Sequence, residues 1–332
     1  MRQGKEEGIL AIAGWRGLAG REILDLLLSR GRRAGSIILL GGRRGGEAPP
    51  AGTVHRPLEE DLVGIDLLFL ALPPLPALRL GRRARPAGVA LVDLSGAVAG
   101  SPPLVARLNP GDLPPGSRVA SSPNCVSVLL ALGLAGLHRA VPVRQVIVTT
   151  FQSVSGAGRA ALGRLRRECR GEGGPLPAAG RLAGNLLPRI GAAPAGGASR
   201  EEADLARQVP HLLGAPALQV EANCVRVPVE RGHSFMVHCR LAHPLTLAAA
   251  AAALAGPAWV EVGEEGRTPL ETVGSQRIHV GRIRESDILT PGLSFWLTGD
   301  QLLLGAALNA VELAQLLLPG AAIWETPSGG SP

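Results

Sequence analysis

Gly14-Trp15-Arg16-Gly17-Leu18-Ala19-Gly20 follows the short apolar run Gly8–Ala13. It opens residues 18–30, where Leu18, Ile23, Leu24, Leu27 and Leu28 recur at helical spacing. Strand, glycine turn and helix in that order form the phosphate-binding opening of a dinucleotide fold. Glycines let the backbone approach a pyrophosphate, and the helix N-terminus presents N–H donors to it. The spacing is GxxGxxG rather than GxGxxG, and in a chain with 45 glycines the turn alone specifies little. The segments after it carry the pattern further. Ser36–Leu40 reads as a second strand. Asp66–Leu72 reads as a buried strand followed by the turn Pro73-Pro74-Leu75-Pro76, and Val89–Leu94 and Arg118–Ser121 read as two more. Strands alternating with helices at this spacing predict a parallel, doubly wound α/β sheet. The second strand ends in Gly41-Gly42-Arg43-Arg44. An NAD enzyme usually has an acidic residue there for the ribose 2′-hydroxyl, whereas arginine suits a 2′-phosphate, which favours NADP. A solvated turn made basic by composition is the alternative.

The strand at Arg118–Ser121 delivers Ser121-Ser122-Pro123-Asn124-Cys125, and the apolar segment Val126–Leu137 follows at once. Ser122 reads as an N-cap and Pro123 as the first helical residue, which places Cys125 in the first turn of a helix. Unpaired N–H groups and the helix dipole there favour thiolate, the nucleophilic form. The rival reading is a small buried cysteine. Beyond this helix the texture changes. Gln145–Thr150 is a β-branched strand leading into Phe151–Gly158, and Gly163–Ala198 is rich in Gly, Pro and Arg. A helix is predicted over Glu201–Gln208, strands over Asn223–Val229 and Phe235–Leu241, and a small-residue helix over Leu247–Leu254. Strands over Ile278–Ile283 and Gly292–Leu297 and a closing amphipathic helix over Gly305–Leu318 complete the pattern, with a disordered tail.

A chain of 332 residues suits two domains, and 46% hydrophobic content marks it as globular. Arginine almost replaces lysine, Lys5 being the single lysine, and tyrosine is absent. That skew looks like a coding bias, so the net charge of +7 is weak evidence for nucleic-acid binding. The arginines are scattered with no interleaved aromatic stacking platforms, and a basic patch for an anionic cofactor explains them more simply. Cys125, Cys169, Cys224 and Cys239 show neither CxxC pairing nor metal-like spacing with histidine, which indicates a reducing compartment and no metal. The N-terminus has no signal-length apolar region, and Leu245–Gly256 is too short to span a bilayer. The reading is a soluble cytoplasmic protein.

Several separated stretches then align. They are Gly14–Gly20, Ser122–Cys125, Gln152–Gly158, Gly184–Gly191, Arg226–Ser234, Val280–Arg284 and Gly305–Val311. In this order the chain resembles the aspartate-semialdehyde dehydrogenase family over nearly its whole length. The resemblance implies a Rossmann-like domain, completed by the C-terminal helix, over residues 1–124 with 303–332. It implies an α/β catalytic and dimerisation domain over residues 125–302, and a homodimer. It implies that Cys125 is the nucleophile, that Gln152 helps hold the covalent intermediate, and that His233 is the acid/base. Arg226 would grip the substrate carboxylate, with Asn124 beside it. Gly14, Arg16, Gly17, Leu18, Ala19, Gly20, Arg43, Ser155, Gly156 and Asn309 would line the NADP site. The chemistry agrees: a thiolate forms the covalent adduct, a base of near-neutral pKa moves the proton, and an arginine fork binds a planar carboxylate.

The chain departs from the family where phosphate and the rest of the substrate bind. After Asp93 the family reads Asn-(Ser/Thr)-Ser-Ala-x-Arg. Here the chain reads Leu94-Ser95-Gly96-Ala97-Val98-Ala99, without the arginine. The family's Glu and Lys near residues 200–213 are matched by Gln208-Val209-Pro210-His211, and a basic pair before the closing Gly-Ala-Ala by Leu303-Leu304. Pro73-Pro74 replaces a small turn that lies along the cofactor. Each charge-assisted hydrogen bond is worth about 1.5–3 kcal/mol, so losing two or three weakens phosphate binding by orders of magnitude. Arg107, Arg159 and Arg189 are the candidates to compensate. The wording around Asp93 looks like a paralogue branch that has lost these contacts, yet Cys125, Gln152, Arg226 and His233 are all present. The leading expectation is NADPH-dependent reduction of aspartyl phosphate to aspartate semialdehyde through a Cys125 thioester. The alternatives are a paralogue acting on a different aldehyde or acyl substrate, or a non-catalytic nucleotide-binding homologue.

Overall fold

The computed structural model describes residues 8–41, 48–172, 180–192, 197–319 and 323. The basic turn at Arg43 and Arg44 lies outside the described residues, as does most of the tail. The chain divides into two compact units, Met1–Pro123 with Ala306–Pro332, and Asn124–Gly305. Elements are numbered in chain order.

In the first unit, β1 (Leu10–Ala13), β2 (Ile37–Leu40), β3 (Val54–Arg56), β4 (Leu67–Leu70), β5 (Ala90–Asp93) and β6 (Val119–Ser121) form one sheet. All its pairings are parallel, and the strand order is β3-β2-β1-β4-β5-β6. β1, β2, β4 and β5 are buried at every position, which is why their sequences run apolar without alternation. The order reverses between β1 and β4, the switch point at which doubly wound sheets bind dinucleotides. α1 (Leu18–Ser29) and α2 (Pro74–Ala84) connect strands, and the C-terminal α7 (Asn309–Leu317) packs on β5 and β6. The Pro73–Pro76 stretch is therefore not only a turn. Pro74 takes the first helical position of α2, where its missing N–H has no intrahelical partner to lose. The short edge strand β3 falls inside Glu47–Pro57, a stretch whose prolines and glycines read as a connection rather than a strand.

The second unit carries α3 (Cys125–Ala140), α4 (Arg159–Cys169), α5 (Arg200–Leu212) and α6 (Leu247–Ala255). Its mixed sheet has the order β10-β11-β12-β9-β7-β8. The strands are β7 (Val143–Gln152), β8 (Gln219–Arg226), β9 (His233–Leu241), β10 (Val260–Val262), β11 (Ile278–Glu285) and β12 (Gly292–Gly299). The apolar α3 is buried from Val126 to Leu137 and packs against α5, α6 and the sheet. Gly136 permits the α6 approach, since a Cβ there would stand 2.2 Å from the Ala253 carbonyl oxygen. On the opposite side of the sheet, β7 alternates buried and exposed residues, leaving Ile147 39% exposed and Phe151 against Trp296 with ring centroids 5.8 Å apart. α4 and β10 are further elements that the sequence pattern does not announce. The helix predicted from Gly305 begins as a π-helix over Leu303–Leu308 before α7. Among the described residues no helix is long and apolar enough to cross a membrane.

Candidate active site

Strand register assembles the site in the second unit. β7 and β8 run parallel with Gln152 opposite Arg226, and β7 and β9 run antiparallel with Phe151 opposite Ser234. Gln152, Arg226 and His233 therefore stand at adjacent ends of three neighbouring strands. All three are buried, at 1%, 8% and 0% exposure. Cys125 is the first residue of α3, and its Sγ lies 3.9 Å from His233 Nε2.

The helix start differs in detail from the sequence reading. Asn124, not Ser122, is the N-cap, and its Oδ1 accepts from the Val126 N–H at 3.3 Å. Asn outranks a displaced Ser here because only a residue directly before the first helical turn can reach its N–H groups. Ser122 instead accepts from Asn309 Nδ2 at 2.9 Å within the first unit. The backbone N–H of Asn124 donates to Gln208 Oε1 at 3.1 Å, so Gln208 on α5 holds the cap residue directly before Cys125.

The charge state also differs from the expected thiolate. Burial pushes the Cys125 thiol up to about 12, and the negative charge of Glu201 adds to this; the Arg226 guanidinium and backbone N–H groups pull the other way and lose. Desolvation outweighs a helix N-terminus, whose effect is about 0.3–1 kcal/mol when exposed. Burial, then the nearby Arg226 charge, push His233 down to about 3. In the free protein the pair is a thiol beside a neutral imidazole.

Arg226 Nη1 donates to the Ser153 carbonyl at 2.6 Å. Among the described residues no carboxylate forms an ion pair with it, and burial lowers its pKa while Glu201 opposes that shift. Gly156 keeps the approach open, since a Cβ there would fall 3.1 Å from Arg226 Nη1 and 3.3 Å from His233 Nε2. The half-buried Glu201 is a site residue that the sequence reading treats only as a helix start. Its Oε1 accepts from Gln152 Nε2 at 3.3 Å. Neighbouring Glu202 is committed elsewhere, to the Ser199 cap and the Cys224 N–H. The Ser199-x-x-Glu202 capping box was legible, and with it the first turn of α5 that carries Glu201.

In the first unit the glycine turn fits a pyrophosphate. Gly14 has φ +83°, and a Cβ there would stand 2.1 Å from the Ala71 carbonyl oxygen; a Cβ at Gly20 would stand 2.4 Å from the Gly14 oxygen. Gly17 caps α1 with no side chain, leaving the N–H groups of the first turn, from Leu18 and Ala19, to a ligand. Arg16 lies 4.9 Å over the Trp15 ring, and Trp15 Nε1 donates to the Gly41 oxygen at 3.0 Å. That indole ties the turn to the end of β2, a role that the glycine spacing hides.

Two of the implied cofactor side chains are engaged with protein. Asn309 Nδ2 donates to Leu104 O and Ser122 Oγ, and its Oδ1 accepts from Ala106 N, so it fastens α7 and has no amide hydrogen left for a ligand. Ser155 is buried and accepts from Gln301 Nε2 at 2.7 Å. Where the family's arginine loop would follow β5, Asp93 accepts from Ser95 N, Ser95 Oγ and Val98 N, closing the loop on itself. Arg107 pairs with Glu312 at 2.6 Å.

Comparison with known proteins gives the following. The family model for the semialdehyde dehydrogenase dimerisation domain matches residues 134–304. An aspartate-semialdehyde dehydrogenase of Synechocystis sp. is 32% identical over 331 residues, covering 93% of this chain and 97% of that relative. A USG-1 protein homolog of Pseudomonas aeruginosa is 31% identical over 328 residues, covering 93% and 97%. The crystal structure of aspartate semialdehyde dehydrogenase II from Vibrio cholerae superposes with a TM-score of 0.86 at 25% identity, covering 95% of this chain and 99% of that one.

Proposed function

Because this chain belongs to the aspartate-semialdehyde dehydrogenase family, we propose that it reduces aspartyl phosphate to aspartate semialdehyde and phosphate, with NADP as its cofactor. The observation that supports this most is Cys125 Sγ standing 3.9 Å from His233 Nε2, with Gln152 and Arg226 buried at the adjoining strand ends. The Cys125 sulfur attacks the acyl carbon, the carbon–oxygen bond to phosphate breaks, and phosphate leaves with that electron pair and takes up the thiol proton, giving a thioester and hydrogen phosphate. Arg226 offers its unpaired guanidinium to the substrate carboxylate in two-point fashion, next to Asn124. Gln152, steadied by Glu201, faces the acyl group, and His233 serves the oxygen and its proton. The bound cofactor supplies the hydride for the reduction. Gly14, Arg16, Gly17, Leu18, Ala19 and Gly20 hold its pyrophosphate and Arg43 its 2′-phosphate. Residues 1–124 with 303–332 form the cofactor domain and 125–302 the catalytic and dimerisation domain. The homodimer uses the uncovered sheet face at Ile147, Phe151 and Trp296, apolar and aromatic as an interface core requires. Four free cysteines agree with a cytoplasmic location.

A second reading, a phosphate-free acyl or aldehyde substrate, is favoured by the Asp93 loop, whose N–H groups are already bound. One assay separates the two: NADP reduction with aspartate semialdehyde, with and without phosphate, beside Cys125→Ala. Phosphate-dependent turnover lost in the variant supports the leading reading. Turnover indifferent to phosphate supports the second, and NADPH binding with no turnover overturns both in favour of a non-catalytic homologue.

A further inference from the structure

His233 Nδ1 receives the backbone N–H of Ser153 at 3.2 Å, and the Ser153 hydroxyl lies 3.0 Å from the same nitrogen. A backbone N–H only donates, so Nδ1 is the acceptor and the proton of the neutral ring sits on Nε2. The hydroxyl continues into a buried chain. Ser153 Oγ is 3.4 Å from Ser155 Oγ, which accepts from Gln301 Nε2 at 2.7 Å. Gln301 Oε1 accepts from the Gly232 N–H at 2.9 Å. This second backbone donor fixes which end of the amide is oxygen, because the reverse arrangement would set N–H against N–H. Gln301 therefore donates to Ser155, Ser155 to Ser153, and Ser153 to His233. Every hydrogen in the chain points the same way, and the last of them, on Nε2, faces Cys125 Sγ. Ser153, Ser155, His233 and Gln301 are each no more than 2% exposed, so water does not rescue a reversed orientation.

We propose that Ser153, Ser155 and Gln301 are positioning residues that lock His233 in the Nε2–H tautomer. In that form His233 meets Cys125 and the substrate oxygen as a hydrogen-bond donor, and its Nε2 is not open to take the thiol proton. The inference rests on the proposed reaction only for its catalytic consequence; the tautomer is a property of the free protein. A donor fixed at the place where an oxyanion develops needs no reorganisation during the reaction.

The test is 15N NMR of the substrate-free protein labelled at its seven histidines, with His233→Gln identifying the resonance. A pyrrole-type Nε2 and a pyridine-type Nδ1 are expected at neutral pH. The reverse pattern, or an even mixture, overturns the proposal whether or not the protein turns over aspartate semialdehyde. Gln301→Glu keeps the acceptor for Gly232 but withdraws the donor to Ser155. It should shift the His233 signals toward the mixed pattern and lower kcat in proportion to the Nε2–H form lost, about twofold for an even mixture, while KM changes little. If that variant does not fold, Ser155→Ala interrupts the same chain by removing one hydroxyl and should move the same signals in the same direction. A folded variant with unchanged His233 signals overturns the role of the chain.

Discussion

Cys125 should resist alkylation in the free protein. With its pKa pushed up to about 12, the thiolate fraction at pH 8 is about 10⁻⁴, against about one quarter for an ordinary thiol of pKa about 8.5. The fractions alone make Cys125 about 2,500-fold slower. A more basic thiolate is a better nucleophile, and a Brønsted slope of about 0.45 over 3.5 units returns about fortyfold. Iodoacetamide should therefore modify Cys125 about sixtyfold more slowly than a cysteine peptide at pH 8, with the rate climbing about tenfold per pH unit up to pH 11. Mass spectrometry of the modified peptides, with Cys125→Ala as the assignment control, reads the rate at this thiol apart from Cys169, Cys224 and Cys239. Glu201→Gln removes the second cause of the shift and should move the profile to lower pH. A plateau below pH 8 at Cys125, with modification faster than the peptide, refutes the account. The helix end and Arg226 would then outweigh burial, and the resting pair would be thiolate and imidazolium.

Three further outcomes follow from the geometry. His233, held down to about 3 against an ordinary 6.5, makes the unfolded state take up a proton first as the pH falls. Its stabilisation is whole above pH 6.5 and lost toward pH 3, by about 1.4 kcal/mol per unit; urea unfolding should show the wild type losing about 2 kcal/mol more than His233→Gln between pH 7 and pH 5, and equal losses refute this. Asp300 is fully buried and accepts from Arg231 Nη2 at 2.7 Å and from the N–H groups of Gly274 and Leu302. Asp300→Ala should cost about 3–5 kcal/mol by urea midpoint, and a cost under about 1 kcal/mol means that the pair does not anchor the segment before Gly305. Gly14→Ala should abolish NADPH binding by fluorescence titration while Cys125 alkylates at the unchanged rate, because the clash with Ala71 and the positive φ confine the damage to the first unit.

The α/β class was legible because four strands of the first sheet are continuous apolar runs, the mark of burial on both faces. What was not legible lacked that contrast. α4 is largely arginine and alanine and buries only Leu165 and Glu168, so no apolar stripe announces it. β3 is a three-residue edge with two exposed positions. α2 begins on a proline inside a proline cluster, where a helix start and a turn look alike. At the site, motif order located Cys125, Gln152, Arg226 and His233. It did not reveal Glu201, which comes to Gln152 from 49 positions away, nor the burial that keeps the thiol protonated. A helix N-terminus is visible in a sequence, whereas the desolvation that overrides it depends on which strands close around it.

The three strand ends have a consequence for how this protein changes over time. Gln152, Arg226 and His233 are placed by ladder hydrogen bonds, and a one-residue slip in any of the three strands would turn its side chain to the wrong face. The residues that differ from the family's substrate contacts, Gln208 and His211, ride on α5, and Gln208 is also the acceptor for the Asn124 N–H directly before Cys125. Under the proposed reaction, a substitution at Gln208 therefore reaches the start of α3 and the geometry of Cys125 as well.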